Sequence, residues 1–434
     1  MWIEVKWRIA CIVELRRVIS AAIYDSDPYH SDFFQKHLVF CDHYMDSRTA
    51  LIERTSFEIL SDLGKFPVTS YWEDGPAAYL RDRAIRAGLE VSMDHWGNVL
   101  VKKPGTDQMS PGIAFVAHMD HPGYEVVAQR GDQLVLKTLG GMGVAAGTEG
   151  TAILVIDACG RRLNATVTGA EKTESQLQKT RELAGWLGAD TVYARLDRDH
   201  DLGRLPLPAV PDLPDCIIDD DLVRMRAADD LAGCAAILTA LEMVAQSPVK
   251  GSVYGLFTRA EEVGLIGARL VAENELLPKN TVIVSVETSS ALPGAEIGQG
   301  VVIRTGDRTA TFDYEAEVYL NTAVDRIRSS DPGFKVQRQL MSAGGCEAAA
   351  FKAFGYNVTG LALPLGCWHN RGESGVELEI ISTNDFLGET LLIVETSKLA
   401  GTEQSGTLKR LLDSPIKEGD RLKRDRSILN RPKI

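Results

Sequence analysis

Short apolar runs ended by acidic residues constrain this chain more than any other feature. SVYGLFT (252–258) is followed by Glu261 and Glu262, and TVIVSVE (281–287) ends in Glu287. Ahead of them, AADDLAGCAAILTALEMVAQ places Asp229 and Asp230 where a helix begins and continues with nearly unbroken apolar character, as a helix packed on a sheet would. GLIGARLVAENELL reads as a helix between the two runs. Alternating strands and helices imply an α/β domain with mainly parallel pairing and right-handed crossovers. In such sheets ligands gather at the carboxyl ends of the strands, so these acids can share one cleft. Burying that many like charges is unfavourable unless cations neutralise them, and the pattern therefore asks for metal.

Upstream, GIAFVAHMDHPG reads as a buried strand ended by ligand-capable groups, and EVSMDHWGNVLVKKPG as a hairpin turning at WGN. After Gly123 the texture changes. Short strand-like runs (EVVAQ, QLVLKTL, TAILVID, NATVTG, TVYARL) separated by Gly, Asp and Asn suggest a small barrel or sandwich. Among them lies a polar insert compatible with a helix, EKTESQLQKTRELAGWLG, and the prolines of RLPLPAVPDLPD mark the exit. The domain reading is a β-barrel-like insertion over 126–212 within an α/β domain built from 45–125 and 213–400. Residues 1–44 read as a loosely attached extension or an extra surface helix, and 401–434 as a charged tail expected to fray.

A chain of 434 residues is long enough for two domains, and 44% hydrophobic with 25% charged residues is the mix of an ordinary soluble protein. A net charge of -13 argues against a general nucleic-acid or anionic-membrane binder, which would need a basic surface. Seven cysteines with no CxxC pair favour reduced thiols in a cytoplasmic protein over a disulfide framework. No apolar run is long enough to span a membrane.

The candidate chemistry lies at the ends of these runs. His118 and Asp120 sit two apart on one face of an extended segment, so the Asp120 carboxylate can accept a hydrogen bond from the ring nitrogen that His118 does not use for metal. Glu261 and Glu262 are adjacent and point in different directions, which suits one to binding metal and the other to facing the water that metal activates. Read singly, the Asp229–Asp230 pair is a helix cap, Glu287 a strand-end acid and His369 a surface-loop histidine. Their joint occurrence at successive element ends favours a site.

AHMD, DDLAGCAAIL, TRAEEVGLIGA, VETSS with GQGVVIRTGD, and the late loop histidine together resemble the M42 glutamyl aminopeptidase family, in a wider clan of di-metal peptidases with M28 and M20. The resemblance covers roughly residues 50 to 395. It implies a three-layer αβα zinc-peptidase-like catalytic domain, a small inserted β-rich domain, and two divalent ions, zinc most often, with cobalt or manganese as alternatives. It implies further that Asp229 bridges the ions through a residue whose peptide bond to Asp230 is cis, that His118 and Glu287 complete one position, and that Glu262 and His369 complete the other. Glu261 would be the general base and Asp120 the partner of His118. The long insertion between His118 and Asp229 matches M42, whereas M20 enzymes insert theirs later. Three residues depart from the pattern: His121 where an acid is usual, Leu231 where arginine is common, and Glu287 where aspartate is frequent.

The resulting expectation is an aminopeptidase that removes N-terminal residues from peptides by a water activated between two metals, working as a homo-oligomer. An amidohydrolase acting on small N-acyl or amide substrates, and a non-catalytic binding protein on a peptidase fold, stay open as alternatives.

Overall fold

The computed structural model describes residues 48–172, 188–219 and 221–404. Residues 1–44, most of the polar insert and most of the tail lie outside these residues, so the expectations for them are not addressed by the structure.

The hairpin of β1 (Glu90–Met93) and β2 (Val99–Lys103) turns at Gly97, whose φ of +87° suits glycine. After β3 (Ile113–His118) come six strands, β4 (Gly123–Arg130), β5 (Gln133–Leu139), β6 (Ala152–Ile156), β7 (Arg162–Glu171), β8 (Thr191–Leu196) and β9 (Leu207–Pro211), which close a barrel in the order β4-β5-β8-β7-β6-β9. Its interior is filled by Tyr124, Val126, Leu136, Val155, Val167 and Val192, all fully buried. The mixed α/β fold is therefore as the sequence implied, and the six strands after β3 close a barrel. One detail differs. The proline-rich segment expected as an exit supplies β9, the strand that closes the barrel by pairing with both β4 and β6. Local proline content argued against a strand there, and tertiary closure overrode it.

The chain then makes a small sheet from β10 (Cys216–Ile218) and β11 (Leu222–Met225), later joined by β17 (Glu379–Ser382), and returns to the main sheet with β12 (Val253–Thr258), β13 (Val282–Ser290), β14 (Val301–Asp307), β15 (Val336–Met341) and β16 (Asn357–Leu365). The eight-stranded order is β1-β2-β12-β3-β13-β16-β14-β15. Its centre, β12-β3-β13-β16, is parallel as expected. The flanks are mixed: β2 runs antiparallel to β12, and β14 antiparallel to β16.

Helices cover both faces. Ala114 and Val116 of β3 pack with Ala268, Val271 and Phe351, from helices Ile266–Glu273 and Glu347–Ala353. The alternate β3 residues point to the other face, where helix Ala228–Val244 packs on β3 and β13 and against helix Thr383–Ser397. Leu231, Ala235, Ile237 and Leu238 of that helix are fully buried, which is why its sequence shows no polar stripe. Truncating Leu238 to alanine would cost roughly 2–5 kcal/mol by leaving a cavity. No helix among the described residues is long and apolar enough to cross a membrane.

Candidate metal centre

The parallel centre of the sheet sends β3, β12 and β13 in one direction, and the residues at their carboxyl ends meet helix Ala228–Val244 and the loop after β16. His118 ends β3, Glu287 lies within β13, and Glu261 and Glu262 follow β12 in a turn. Asp229 and Asp230 are joined by a cis peptide bond. They are not helical: Asp229 has φ/ψ of -83°/101° and Asp230 -126°/36°, so the regular helix starts after them, one step later than the sequence pattern suggested. Asp230 is the cap, its Oδ1 accepting from Gly233 N–H at 3.2 Å and from Thr288 Oγ1 at 3.0 Å. Any Cβ at position 233 would lie 2.5 Å from that Oδ1, so the cap requires glycine there. Asp229 is thereby left to face the cleft.

His118 Nε2 stands 3.2 Å from Asp229 Oδ1 and 3.5 Å from Glu287 Oε1. His369 Nε2 stands 3.2 Å from Glu262 Oε1 and 3.7 Å from Asp229 Oδ2. Asp229 thus turns one oxygen to each histidine. His118, Asp229 and Glu287 offer ligand atoms within 4.8 Å of one another, as do Asp229, Glu262 and His369, and His118, Glu261 and Glu262. Five of these residues, Asp229, Glu261, Glu262, Glu287 and His369, border a cavity of about 330 Å³ whose further wall includes Leu265, Thr288, Ser289, Arg304, Met341 and Trp368.

Each histidine has its other nitrogen against a main-chain carbonyl, Nδ1 of His118 at 3.1 Å from Asp120 O and Nδ1 of His369 at 3.0 Å from Gly141 O. A proton on each Nδ1 leaves the Nε2 lone pairs facing carboxylate oxygens, an arrangement that a cation between them relieves. Asp229 Oδ1, Glu262 Oε1 and Glu287 Oε2 are buried and accept no hydrogen bond among the described residues. Orphaned carboxylate oxygens beside imidazole nitrogens are a donor set suited to divalent zinc, cobalt or manganese, so the residues present fit such ions.

Electrostatics agree. Burial, reinforced by Glu287 and Glu262, pushes Asp229 up to about 7. Burial likewise holds Glu261 well above the usual carboxylate range, opposed by His118 and reinforced by Glu287 and Glu262. Burial works against the charged form of His118, but the surrounding Asp120, Asp229 and Glu287 carboxylates outweigh it and raise the ring well above its ordinary value.

A model of M42 glutamyl aminopeptidases matches residues 97–376. The chain belongs to this family. A curated protein of Acetivibrio thermocellus, provisionally named an aminopeptidase, is 24% identical over 319 residues, 70% of this chain and 87% of its own. Among solved structures, the TET1 peptidase of Pyrococcus horikoshii is 22% identical with a TM-score of 0.64, over 79% of this chain and 99% of its own. An aminopeptidase from Desulfurococcus kamchatkensis is 20% identical with a TM-score of 0.65, over 82% and 98%. These structures share the fold.

In this M42 chain the outer partners are as informative as the candidate ligands. The sequence assigned the Asp120 carboxylate to the His118 ring; it lies 3.5 Å from Nδ1, farther than the main-chain carbonyl. Its stronger bonds run elsewhere. Oδ1 accepts from Glu261 N–H at 2.9 Å, and Oδ2 from Glu262 N–H at 3.2 Å and Ser70 Oγ at 2.6 Å. The two preceding amides are held in the same way, Arg259 N–H by Asn98 Oδ1 and Ala260 N–H by Glu73 Oε1, each at 2.9 Å. Four successive amides of the turn bearing Glu261 and Glu262 are therefore fastened to buried side chains.

The unusual His121 is buried, with Nδ1 2.6 Å from Asp229 O and Nε2 3.1 Å from Asn370 Oδ1, and burial pushes its pKa down to about 4. Arg304 is buried beside Glu287, with NH1 3.9 Å from Oε2, and donates to Ser289 Oγ. Trp368 lies against His369, and its Nε1–H donates to Asp229 Oδ2 at 3.2 Å. Glu73, Glu347, Glu379 and Arg304 were not singled out in the sequence. Asp120 and the departure at His121 were the sequence's hints at what stands behind the candidate ligands.

Proposed function

We propose that this protein is a metal-dependent aminopeptidase whose centre takes two divalent cations, one at His118, Glu287 and Asp229 and the other at Glu262, His369 and Asp229. The observation that carries this reading is the pair of histidine–carboxylate clusters sharing Asp229, with buried carboxylate oxygens that accept no hydrogen bond. Membership of a peptidase family supports the reaction class, and the family's metal dependence supports the cofactor class.

Cations bound there would lower the pKa of a water and polarise the scissile carbonyl. Glu261 opens on the cavity and is held by burial above the usual carboxylate range, so it serves as the base that accepts a proton from the attacking water and returns it to the leaving amine. Asp120 keeps Glu261 in place through its main chain. Glu262 faces His369, so the two adjacent glutamates divide the work of base and ligand. Arg304 balances the charge of Glu287 from behind.

Elemental analysis of protein purified without chelators, paired with hydrolysis of aminoacyl amides with free and acylated N-termini, tests the proposal. The expected result is close to two ions per chain and metal-dependent release from free N-termini only. Ions with activity on blocked substrates alone would favour an amidohydrolase, a reading that the longer Glu287 side chain keeps in play. No uptake of zinc, cobalt or manganese would overturn the centre and favour a binding protein. A cytoplasmic homo-oligomer is the proposed setting; the Pyrococcus horikoshii relative can assemble into a tetrahedron or a larger octahedral shell.

A further inference from the structure

Glu379 lies outside the ligand set, yet its fully buried carboxylate is committed to two of the ligand residues. Oε2 accepts from the main-chain N–H of Asp229 at 3.0 Å, and Oε1 from that of His369 at 2.8 Å. The surrounding architecture brings it there. Glu379 opens β17 and pairs with Met225, the last residue of β11, shortly before Asp229. The loop that carries His369 needs such a hold, because Cys367, His369 and Asn370 have φ values of +54°, +57° and +56°, a region that non-glycine residues occupy only when their surroundings over-determine it. Other bonds to this loop include His369 Nδ1 to Gly141 O, Asn370 Nδ2 to Arg226 O, Trp368 Nε1 to Asp229 Oδ2, and His121 Nε2 to Asn370 Oδ1. Glu379 joins the main chains of both ligands through one side chain.

A packing role does not account for this residue. Its charged neighbours include Asp229 and Glu262, so an ionised carboxylate at this depth is costly and a neutral side chain of similar shape would be cheaper. What a carboxylate offers is two acceptor oxygens in a fixed plane, matched to two donors. We propose that Glu379 is a positioning residue that sets the separation of Asp229 and His369, and through it the affinity of the cation position that these residues share with Glu262. The inference rests on the two-cation reading given above.

Cobalt(II) titration of metal-free, full-length protein, followed by the visible absorption of the bound ion, tests it with Glu379→Gln beside wild type. Glutamine keeps the shape and one acceptor but turns an NH2 toward the second donor. The expected result is one ion bound as in wild type and the second bound roughly 10–100-fold more weakly, the usual effect of losing a partner behind a metal ligand. Glu389→Gln, a change at a buried glutamate without a hydrogen-bond partner among the described residues, is the control and should leave both phases unchanged. If Glu379→Gln does not fold, Glu379→Asp keeps both oxygens with a shorter reach and should again weaken only the second ion. Two wild-type phases in the variant, or equal weakening of both, would overturn the proposal. No cobalt uptake by wild type would instead overturn the two-cation reading, and the inference with it, an outcome distinct from any result with the variant.

Discussion

The main-chain N–H of Glu261 donates to the Asp120 carboxylate across 2.9 Å, so the proposed base is anchored through its backbone while its side chain stays free to work. Asp120→Asn exchanges one acceptor oxygen for an NH2 that confronts a donor, either Glu261 N–H on one side or the Glu262 N–H and Ser70 hydroxyl on the other. Turnover should fall roughly 10–100-fold, as when a ligand's outer partner is lost. Steady-state kinetics and metal analysis on the same preparation check this; wild-type kcat with full metal content would mean that the turn holds without Asp120.

Glu261→Gln should separate binding from chemistry. The amide cannot accept the proton, and loss of a general base typically lowers kcat by about 10²–10⁴. Both ions should remain, because Glu262 and His369 keep their contact on the far side of the turn. A fully active variant would remove Glu261 from the mechanism.

Removing metal should destabilise the protein. Without cations, buried oxygens of Asp229, Glu262 and Glu287 have no hydrogen-bond partner among the described residues. At free metal a thousandfold above Kd, each ion contributes roughly 4 kcal/mol by mass action. Calorimetry with and without a chelator should show a lower Tm for the stripped protein, recovered on adding zinc or cobalt. An unchanged Tm would argue against ions bound to the folded state.

Glu389 gives a pH-dependent prediction away from the centre. It is fully buried on helix Thr383–Ser397, neither carboxylate oxygen has a hydrogen-bond partner among the described residues, and burial, reinforced by Asp385 and Glu287, holds it well above its ordinary 4.5. The folded state keeps this proton after the unfolded chain has lost it, so the group reduces stability progressively as pH rises above about 4.5, until the folded carboxyl itself ionises. Glu389→Gln cannot ionise. Denaturant titrations should find the variant increasingly stable relative to wild type from pH 5 to pH 8, with the gap closing near pH 4. A gap that widens toward acid would contradict the assignment.

The legible part of this protein was what repeats locally. Continuous apolar runs revealed β3, β12 and β13, and the acids at their ends marked the cleft, because a strand that is buried on both faces carries its polar chemistry at its ends. The departures came from tertiary demands. β9 is a strand because a barrel must close, despite its prolines. Asp229 leaves the helix because Asp230 supplies the cap. Glu73, Glu347 and Glu379 give no local signal, since a buried glutamate in a strand or helix is recognisable only by the donors brought to it from distant segments. Glu347 shows this plainly: it accepts from Thr258 and Ser285, which belong to different strands.

Gly141 lies two residues past the end of β5, and its carbonyl receives the Nδ1 proton of His369. In the proposed centre, the loop that follows β5 therefore decides which nitrogen of that imidazole is left to bind. Its neighbour Gly140 sits against Glu262, where an added Cβ would come within 3.1 Å. A chain with the barrel excised and its ends rejoined would keep the written residues of the second ligand set and lose the selection of its tautomer. Grafting a barrel from a relative onto this scaffold would accordingly retune the chemistry of His369 even if every ligand were left untouched.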